Sequence, residues 1–244
     1  MAQKRLRLFA GPNGSGKTTI INKIPDNINL GFLINADDIE AELRKNGYFN
    51  LKNHQLKLTT SELQNFISNE GASSVKLPVN RFIDQFYISN QKVFIPKKLL
   101  NSYIAADIAA LLRIQHAKAG HSFTFETVLS HPSKIDFITT AKQNGYRIYL
   151  YYIATESADI NVNRVNIRVT QKGHSVPEAT IRARYKRSLA LLYKTIKVSD
   201  RAFLFDNSGK ESFFFAEITD GSDVEIKCDD ENIPEWFFSY VLNR

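Results

Sequence analysis

Nine residues near the start of the chain have the types and spacing of a loop that binds phosphate groups. They fit the pattern G-x-x-x-x-G-K-[ST], and they are Gly11, Pro12, Asn13, Gly14, Ser15, Gly16, Lys17, Thr18 and Thr19. Glycines let successive backbone N–H groups converge on one anion without a Cβ in the way. Lys17 would supply a positive charge for the β- and γ-phosphates of ATP, and the Thr18 hydroxyl would bind Mg²⁺. The pattern therefore predicts a site for ATP and Mg²⁺.

The residues on either side of this loop strengthen that prediction. Residues 6–10 predict a short buried strand, and residues 19–24 predict a helix. A strand, a glycine-rich loop and then a helix is the context in which the pattern binds phosphate, because the helix N-terminus then faces the anion. An ordinary glycine-rich turn is the alternative, and the placing of glycine, lysine and threonine after a strand argues against it.

Carboxylates follow two further predicted strands. Residues 31–35 form one strand, which leads to Asp37 and Asp38, and residues 122–126 form the other, which ends at Glu126. Ligands of parallel α/β sheets bind at the carboxyl ends of strands. We therefore expect one carboxylate on Mg²⁺ and another acting as general base for an acceptor hydroxyl. The alternatives are that an aspartate caps the following helix and that Glu126 lies at a solvated strand end.

A cluster of basic residues lies between positions 164 and 187. Its members are Arg164, Arg168, Lys172, His174, Arg182, Arg184, Lys186 and Arg187. Arg164 and Arg168 are four residues apart, so they share one helical face. Guanidinium groups match the oxygens of a transferring γ-phosphate, and we expect about two of these residues to contact phosphate from a lid. The others are expected to be solvated.

Strands alternate with helices along most of the chain. Helices are predicted at residues 99–119, 132–144, 158–172 and 177–197, and strands at residues 147–154 and 202–206. This alternation indicates an α/β fold with a mainly parallel sheet covered by helices on both faces. Together with the phosphate loop, it predicts a P-loop NTPase.

Residues 48–98 interrupt this alternation. They contain a predicted helix at residues 62–68, with Ser61 as its N-cap, and a predicted hairpin with strands at residues 86–89 and 92–95. We expect a single domain over residues 1–244, in which residues 48–98 form an inserted or cap lobe. Because the lobe follows the strand that leads to Asp37, we expect it beside an acceptor site rather than beside adenine.

Composition narrows the class of protein. The 244 residues are 43% hydrophobic, which is enough for a sizeable core. The single cysteine, Cys228, fits a reducing compartment, and the sequence shows neither a membrane-spanning stretch nor a signal peptide, so we expect a cytoplasmic protein. The net charge of +7 is compatible with nucleic-acid binding. The basic residues cluster near the predicted lid instead, so nucleic acid ranks last among the partners.

Several of these segments together resemble the zeta-toxin-like family of P-loop kinases. The resemblance rests on the loop at residues 11–19, on Ile34–Ile39, on Phe123–Ser130, on residues 173–189 and on Phe205–Ser208. It implies a kinase-type P-loop core, a three-layer sandwich in which ATP phosphorylates a hydroxyl of a small molecule. In the best-known members of the family that hydroxyl is the 3′-hydroxyl of UDP-N-acetylglucosamine.

The resemblance also implies roles for individual residues. Asp37 matches the proposed base for the acceptor hydroxyl, and Glu126 matches a glutamate that helps to hold the substrate. Arg164 or Arg168 match lid arginines that grip the γ-phosphate, and another such arginine would fall near His174. The implied partners are ATP with Mg²⁺, a small-molecule acceptor such as a nucleotide sugar, and an antitoxin protein.

Three functions stay open on the sequence. The first is a small-molecule kinase, which needs an acceptor pocket beside Asp37 and Glu126. The second is an NTPase that binds or hydrolyses ATP without a small-molecule acceptor, and it should release phosphate with no acceptor present. The third is a P-loop protein that acts on nucleic acid, which predicts basic residues interleaved with exposed aromatic residues along a groove.

Overall fold

The computed structural model describes residues 3–76, 78–171 and 175–244. The chain divides into two compact units. Unit 1 comprises residues 1–29 and 126–244, and unit 2 comprises residues 30–125. The proposed phosphate loop belongs to unit 1, and the two aspartates belong to unit 2.

The strands and helices follow one another in the alternation that the sequence predicts. In chain order the strands are β1 (Arg5–Ala10), β2 (Phe32–Ile34), β3 (Phe49–Asn50), β4 (Tyr87–Ser89), β5 (Lys92–Phe94), β6 (Phe123–Thr127), β7 (Arg147–Ala154), β8 (Arg201–Asp206), β9 (Phe213–Thr219) and β10 (Asp223–Ile226). The helices are α1 (Lys17–Ile21), α2 (Ala36–Asn46), α3 (Thr60–Asn69), α4 (Ala72–Lys76), α5 (Ser102–Lys118), α6 (Ser133–Gln143), α7 (Ala158–Thr170), α8 (Glu178–Val198) and α9 (Glu235–Phe237), the last continued by a π-helical turn at Phe238–Leu242.

Unit 1 is built on a sheet with the strand order β10-β9-β8-β7-β1. Strands β1, β7 and β8 are parallel, and β9 and β10 run antiparallel to their neighbours. One face carries an aromatic stack across three strands, in which the ring of Tyr151 lies 4.5 Å from that of Phe9 and 4.9 Å from that of Phe203. Such stacking on neighbouring strands fixes their register, because a slip of one residue would move every ring to the other face.

Helix α8 is fastened to the same sheet by two hydroxyl groups. The hydroxyl of Tyr152 on β7 lies 3.0 Å from that of Ser188, and Tyr185 donates a hydrogen bond of 2.7 Å to the carbonyl of Thr155. Tyr152 and Ser188 are fully buried. Buried hydroxyl groups are costly unless they are paired, so these bonds set how α8 lies on the strand that precedes α7.

Unit 2 contains the parallel pair β2–β6 and a small antiparallel sheet with the order β3-β5-β4. The predicted hairpin is present as β4 and β5. Its two turn residues, Asn90 and Gln91, both have positive φ angles, of 48° and 58°. Two such residues make the tight turn that matches the twist of a hairpin.

Helix α2 begins at a side chain that the sequence analysis did not consider as a cap. The Asn35 side chain accepts a hydrogen bond of 2.9 Å from the backbone N–H of Asp37, so Asn35 rather than an aspartate is the N-cap. The predicted cap of α3 at Ser61 is wrong by two residues. Thr59 forms a capping box with Glu62 there, because that pair satisfies two backbone donors at once.

The expectation of an α/β fold with a mainly parallel sheet is confirmed by these strand pairs. The predicted insertion at residues 48–98 lies inside unit 2, which also includes β2, α2 and α5. Its role as a separate cap lobe stays a prediction.

The buried carboxylate of Asp206, at the end of β8, gives a test of how unit 1 is held together. Asp206 accepts hydrogen bonds from the indole N–H of Trp236 (2.9 Å) and from the backbone N–H of Ser208 (2.8 Å). We expect Asp206→Ala to lower the free energy of unfolding by about 2–4 kcal/mol, because both donors lose their partner. Urea unfolding followed by the fluorescence of Trp236, the single tryptophan, measures this. Lys210→Ala, at an exposed position nearby, is the control and should change little.

Candidate active site

The proposed phosphate loop has a backbone that requires glycine, as Gly11 and Gly16 show. Gly11 has a φ of 145°, and a Cβ there would lie 2.0 Å from the carbonyl oxygen of Ile153. Gly16 has a φ of 94°, and a Cβ there would lie 2.2 Å from Nδ2 of Asn207. The loop therefore needs glycine both for its dihedral angles and for its close approach to β7 and to the segment that follows β8.

Two asparagine side chains bind the outward-facing carbonyls of the loop. Asn161 of α7 donates to the carbonyl of Asn13 at 2.6 Å, and Asn207, directly after β8, donates to the carbonyl of Ser15 at 2.8 Å. The N–H and C=O groups of a trans peptide point in opposite directions. Fixing the Ser15 carbonyl from outside therefore turns the N–H of Gly16 to the opposite side, as a phosphate-binding loop requires.

A buried hydroxyl in the loop is consistent with such a site. The Oγ atom of Ser15 is buried and has no hydrogen-bond partner among the described residues. An unpaired buried hydroxyl costs roughly 1–3 kcal/mol. Native proteins keep such a group where a ligand supplies the partner, so Ser15 fits a loop that holds an anion.

Lys17, Thr18 and Glu126 converge at the end of the loop. The Nζ of Lys17 donates to the carbonyls of Gly11 (2.9 Å) and Pro12 (3.0 Å) and lies 3.8 Å from Oε1 of Glu126. The Thr18 hydroxyl donates to Oε2 of Glu126 at 3.1 Å. The side chains of Lys17 and Glu126 are only 7% and 14% exposed, so the cation and the carboxylate compensate each other's charge where both are largely buried.

These groups also fit the chemistry of Mg²⁺. Hydroxyl and carboxylate oxygens are the ligands that Mg²⁺ takes from proteins, usually one or two of them together with water and substrate phosphates. Within the described part of the chain, no group of three or more His, Cys, Asp or Glu side chains is placed to hold a metal ion. Thr18 and Glu126 are therefore the residues to consider for Mg²⁺ here.

The predicted lid arginines make different contacts in the structure. Arg164 donates from both terminal nitrogens to backbone carbonyls, to Asn207 at 2.6 Å and to Gly209 at 3.0 Å. Arg184 of α8 instead reaches the loop itself, with its NH1 atom 3.4 Å from Oδ1 of Asn13. The contacts of Arg164 favour a bracing role over a grip on phosphate.

The other members of the basic cluster lie away from these contacts or outside the described residues. Arg182 pairs with Asp159 and Glu178 at the surface, and Arg168, Lys186 and Arg187 are exposed. Lys172 and His174 lie outside the described residues, so the arginine role expected near His174 stays a prediction. The same holds for a γ-phosphate contact of Arg168.

Asp38, rather than Asp37, lines a pocket of unit 2. The cavity has a volume of about 300 Å³, and its lining residues are Gly31, Phe32, Leu33, Asn35, Asp38, Ile39, Glu42, Phe49, Asn53 and His54. Both aspartate side chains are exposed, and Asp37 does not belong to the described lining. Burial, and next the charge of Asp37, raise the pKa of the Asp38 carboxyl above its usual value. The choice of Asp37 as base stays a prediction that the geometry does not favour.

Three histidines that the sequence analysis did not consider form a chain beside this pocket. Nδ1 of His54 lies 3.1 Å from Nε2 of His116, whose Nδ1 lies 3.1 Å from Nδ1 of His121. Burial, followed by the neighbouring His54 and His121, lowers the pKa of His116 to about 3, so this ring is neutral at physiological pH. Their positions, 54, 116 and 121, carry no pattern from which the chain could be predicted.

The chain is similar to one protein family and to several solved structures. The family model described as Zeta toxin matches residues 103–218, a little under half of the chain. These residues are similar to the zeta toxin family. A solved complex of AvrRxo1-ORF1 with AvrRxo1-ORF2 and ATP is similar in structure, with a TM-score of 0.53 and 16% identity. So is a structure from the PezAT chromosomal toxin–antitoxin system of Streptococcus pneumoniae, with a TM-score of 0.50 and 14% identity.

The matches cover most of this chain but smaller shares of the similar proteins. The alignment with the AvrRxo1 structure covers 93% of this chain and 61% of that one, and the alignment with the PezAT structure covers 85% and 69%. An uncharacterized protein of Haemophilus influenzae is 38% identical over 63 residues, which are 26% of this chain and 45% of that protein. The chain thus has the fold of the P-loop kinases, and it spans less than two thirds of the length of most of these relatives. In the described part of the chain, no helix is both long and apolar enough to span a membrane.

Substitutions of Asn207 and Arg164 test whether these side chains hold the backbone of the loop or bind the γ-phosphate directly. We expect Asn207→Ala and Arg164→Ala each to lower the affinity for ATP and the affinity for ADP by the same factor, about tenfold. Both side chains act through the loop, which would bind the phosphates that ATP and ADP have in common. Calorimetry with each nucleotide measures the two affinities. Arg182→Ala, which removes only surface ion pairs, is the control. A loss confined to ATP in Arg164→Ala would instead place that guanidinium on the γ-phosphate.

Proposed function

We propose that this protein transfers the γ-phosphate of ATP to a hydroxyl group of a small molecule. The observation that carries the proposal is the convergence of Lys17, Thr18 and Glu126 at a glycine loop whose carbonyls are bound from outside. The similarity in fold to a structure solved with ATP supports the nucleotide.

In this proposal unit 1 binds ATP with Mg²⁺. The N–H groups of the loop and the ammonium group of Lys17 hold the phosphates, while Thr18 and Glu126 hold Mg²⁺ directly or through water. When bound, Mg²⁺ would neutralise negative charge on the β- and γ-phosphates. Arg184, whose guanidinium reaches Asn13 in the loop, is the arginine best placed to add positive charge there.

The acceptor is proposed to bind in the pocket of unit 2 that Asp38 lines. Its hydroxyl oxygen attacks the γ-phosphorus, the hydroxyl proton passes to a carboxylate, and the bond from the γ-phosphorus to the bridging oxygen breaks to release ADP. Asp38 is the proposed base, since a carboxylate with a raised pKa accepts a proton better than an ordinary one. A nucleotide sugar such as UDP-N-acetylglucosamine is the acceptor that the resemblance implies.

The proposal extends to a partner protein and to a location in the cell. The PezAT structure belongs to a toxin–antitoxin system, which supports an antitoxin protein as a partner of this chain. A single cysteine, Cys228, fits a reducing compartment and supports a cytoplasmic location.

Removing the lysine of the loop tests the nucleotide half of the proposal. We expect Lys17→Ala to weaken ATP binding roughly 10–100-fold, because a charged hydrogen-bond donor to the phosphates is lost. Lys23→Ala, an exposed lysine in the same segment, should bind ATP as the unsubstituted protein does. Thermal unfolding of both variants checks that they are folded. Equal ATP affinity in a folded Lys17→Ala protein would refute the site.

Replacing each of the two aspartates with asparagine tests which carboxylate acts as the general base. We expect Asp38→Asn to lower transfer to the acceptor by about 10²–10⁴-fold with ATP affinity unchanged, and Asp37→Asn to have a much smaller effect. With Asp38 present, the rate should rise as the pH passes upward through its raised pKa and then level off, because the base must be ionised. Phosphate release that is unaffected by either substitution, with no acceptor modified, would favour an NTPase without a small-molecule acceptor.

A further inference from the structure

The two faces of the sheet in unit 1 are covered to different extents. Helix α8 lies against β7 on the face that carries Tyr152, and α6 contacts both of them. On the opposite face the aromatic face of unit 1 is formed by six rings, Phe9, Tyr149, Tyr151, Phe203, Phe205 and Phe214. Phe9 and Tyr151 are buried, but the other four remain partly exposed. A row of partly exposed rings on a sheet marks a surface that a further element can cover.

Arginines accompany these rings at the amino ends of the parallel strands. The guanidinium groups of Arg7 and Arg147 lie 5.4 Å and 5.8 Å from the centre of the Tyr149 ring. The guanidinium group of Arg201 lies 5.0 Å from the centre of the Phe203 ring. Arg201 is paired with a carboxylate, whereas Arg7 and Arg147 form no ion pair with any of the described residues. This end of the aromatic face therefore carries positive charge that is not compensated within the described part of the chain.

Arg7 differs from the other arginines because it is buried as well as unpaired. It is only 6% exposed, and its Nε and Nη1 atoms have no hydrogen-bond partner among the described residues. A buried cation is costly unless a negative charge lies near it. Arg147 is exposed beside the same tyrosine ring and adds to the positive potential there. A carboxylate placed above Tyr149 would be attracted by both charges.

The arrangement of the rings shows which kind of group fits the apolar part of this surface. Phe9, Tyr151 and Phe203 stack on one another, with interplanar angles of 7° and 23°. Because their faces are turned toward each other, the stacked rings present their edges to the outside. Nucleotide bases need an open ring face on which to stack. Ring edges instead form an apolar ridge, which suits aliphatic side chains.

A second copy of this chain matches the surface poorly in charge. On β9 and β10 the acidic side chains of Glu217 and Glu225 are already paired, with Arg201 and Lys227. The chain also has a net charge of +7, so two copies repel each other. The unpaired arginines therefore call for carboxylates from a different, acidic molecule.

We propose that the aromatic face binds an amphipathic helix of an acidic partner protein. Aliphatic side chains of that helix would lie on the ring edges, and carboxylates along its flank would face Arg7 and Arg147. The helix would supply, on this side, the layer that α/β sheets require. The arginines lie toward the amino ends of β1 and β7, whereas the phosphate loop follows the carboxyl end of β1. The inference thus concerns a surface separate from the loop, and it goes beyond the proposed function.

Titration of the full chain with a designed peptide tests this proposal. The probe is an alanine-rich peptide of about 18 residues, long enough to form a helix in water, with leucines three and four residues apart on one face and glutamates on the flanks. A matched peptide carries glutamine in place of every glutamate. We expect the acidic peptide to bind at least about tenfold more tightly than the glutamine peptide, since it alone supplies carboxylates. Fluorescence anisotropy of the labelled peptides measures both affinities.

Substitutions on the aromatic face show whether the peptide binds there. We expect Arg147→Glu to lower the affinity for the acidic peptide at least about tenfold and the affinity for the glutamine peptide by no more than about twofold. Phe205→Ala should lower both affinities alike, because the leucines lose a ring that they contact. Arg187→Glu, the same charge reversal at an exposed position of α8, is the control and should change neither affinity. Thermal unfolding of each variant checks that it is folded.

The remaining outcomes would overturn the proposal. Equal affinity for the two peptides, binding of neither peptide, or an acidic-peptide affinity that Arg147→Glu leaves unchanged would each refute it. If an oligothymidylate binds instead and loses affinity in Arg147→Glu, the occupant is nucleic acid. If sedimentation shows a dimer that Arg147→Glu dissociates and no peptide binds, the occupant is a second copy. ATP affinity, measured on the same samples, should be the same with and without the peptide, and a failure to bind ATP would refute only the proposed function.

Discussion

The hydrogen bonds from Asn161 and Asn207 to the carbonyls of the phosphate loop are the interactions on which the site in unit 1 depends. A loop that presents several N–H groups to one anion must turn its carbonyls outward, and those carbonyls then need donors from neighbouring elements. Here the donors come from α7 and from the segment after β8. The loop therefore keeps its shape only if β8 and α7 are correctly packed, which links the aromatic stack of the sheet and the fastening of α8 to the geometry of the site.

The need to hold these asparagine donors in place also accounts for the position of Arg164. Its guanidinium group binds the carbonyls of Asn207 and Gly209, so it holds the segment that supplies one of the two asparagines. An arginine offers five donors in a fixed plane, and two of them used on backbone carbonyls make a rigid brace. In this arrangement the guanidinium group is engaged by backbone carbonyls of the segment that follows β8.

The two units offer opposite chemistry at their candidate sites. In unit 1 a buried lysine is balanced by Glu126, and the loop is suited to an anion. In unit 2 the pocket is lined by the carboxylates of Asp38 and Glu42 and by His54, and these groups are suited to hydrogen-bond donors. In the proposed function the protein binds a highly charged triphosphate and a hydroxyl compound, and this contrast in charge would discriminate between the two by electrostatics as well as by shape.

The sequence by itself determined the phosphate loop, the alternation of strands and helices, and the convergence of Glu126 with the loop, because these depend on short patterns and on the carboxyl ends of parallel strands. It did not determine which of two adjacent aspartates lines a pocket, since the rotation of α2 about its axis is decided by packing. Nor did it reveal the asparagine braces or the histidine chain. Asn207 and Ser15 are 192 positions apart, and His54 and His116 are 62 apart. Contacts of that kind leave no local pattern, and only the folded chain brings their members within hydrogen-bond distance.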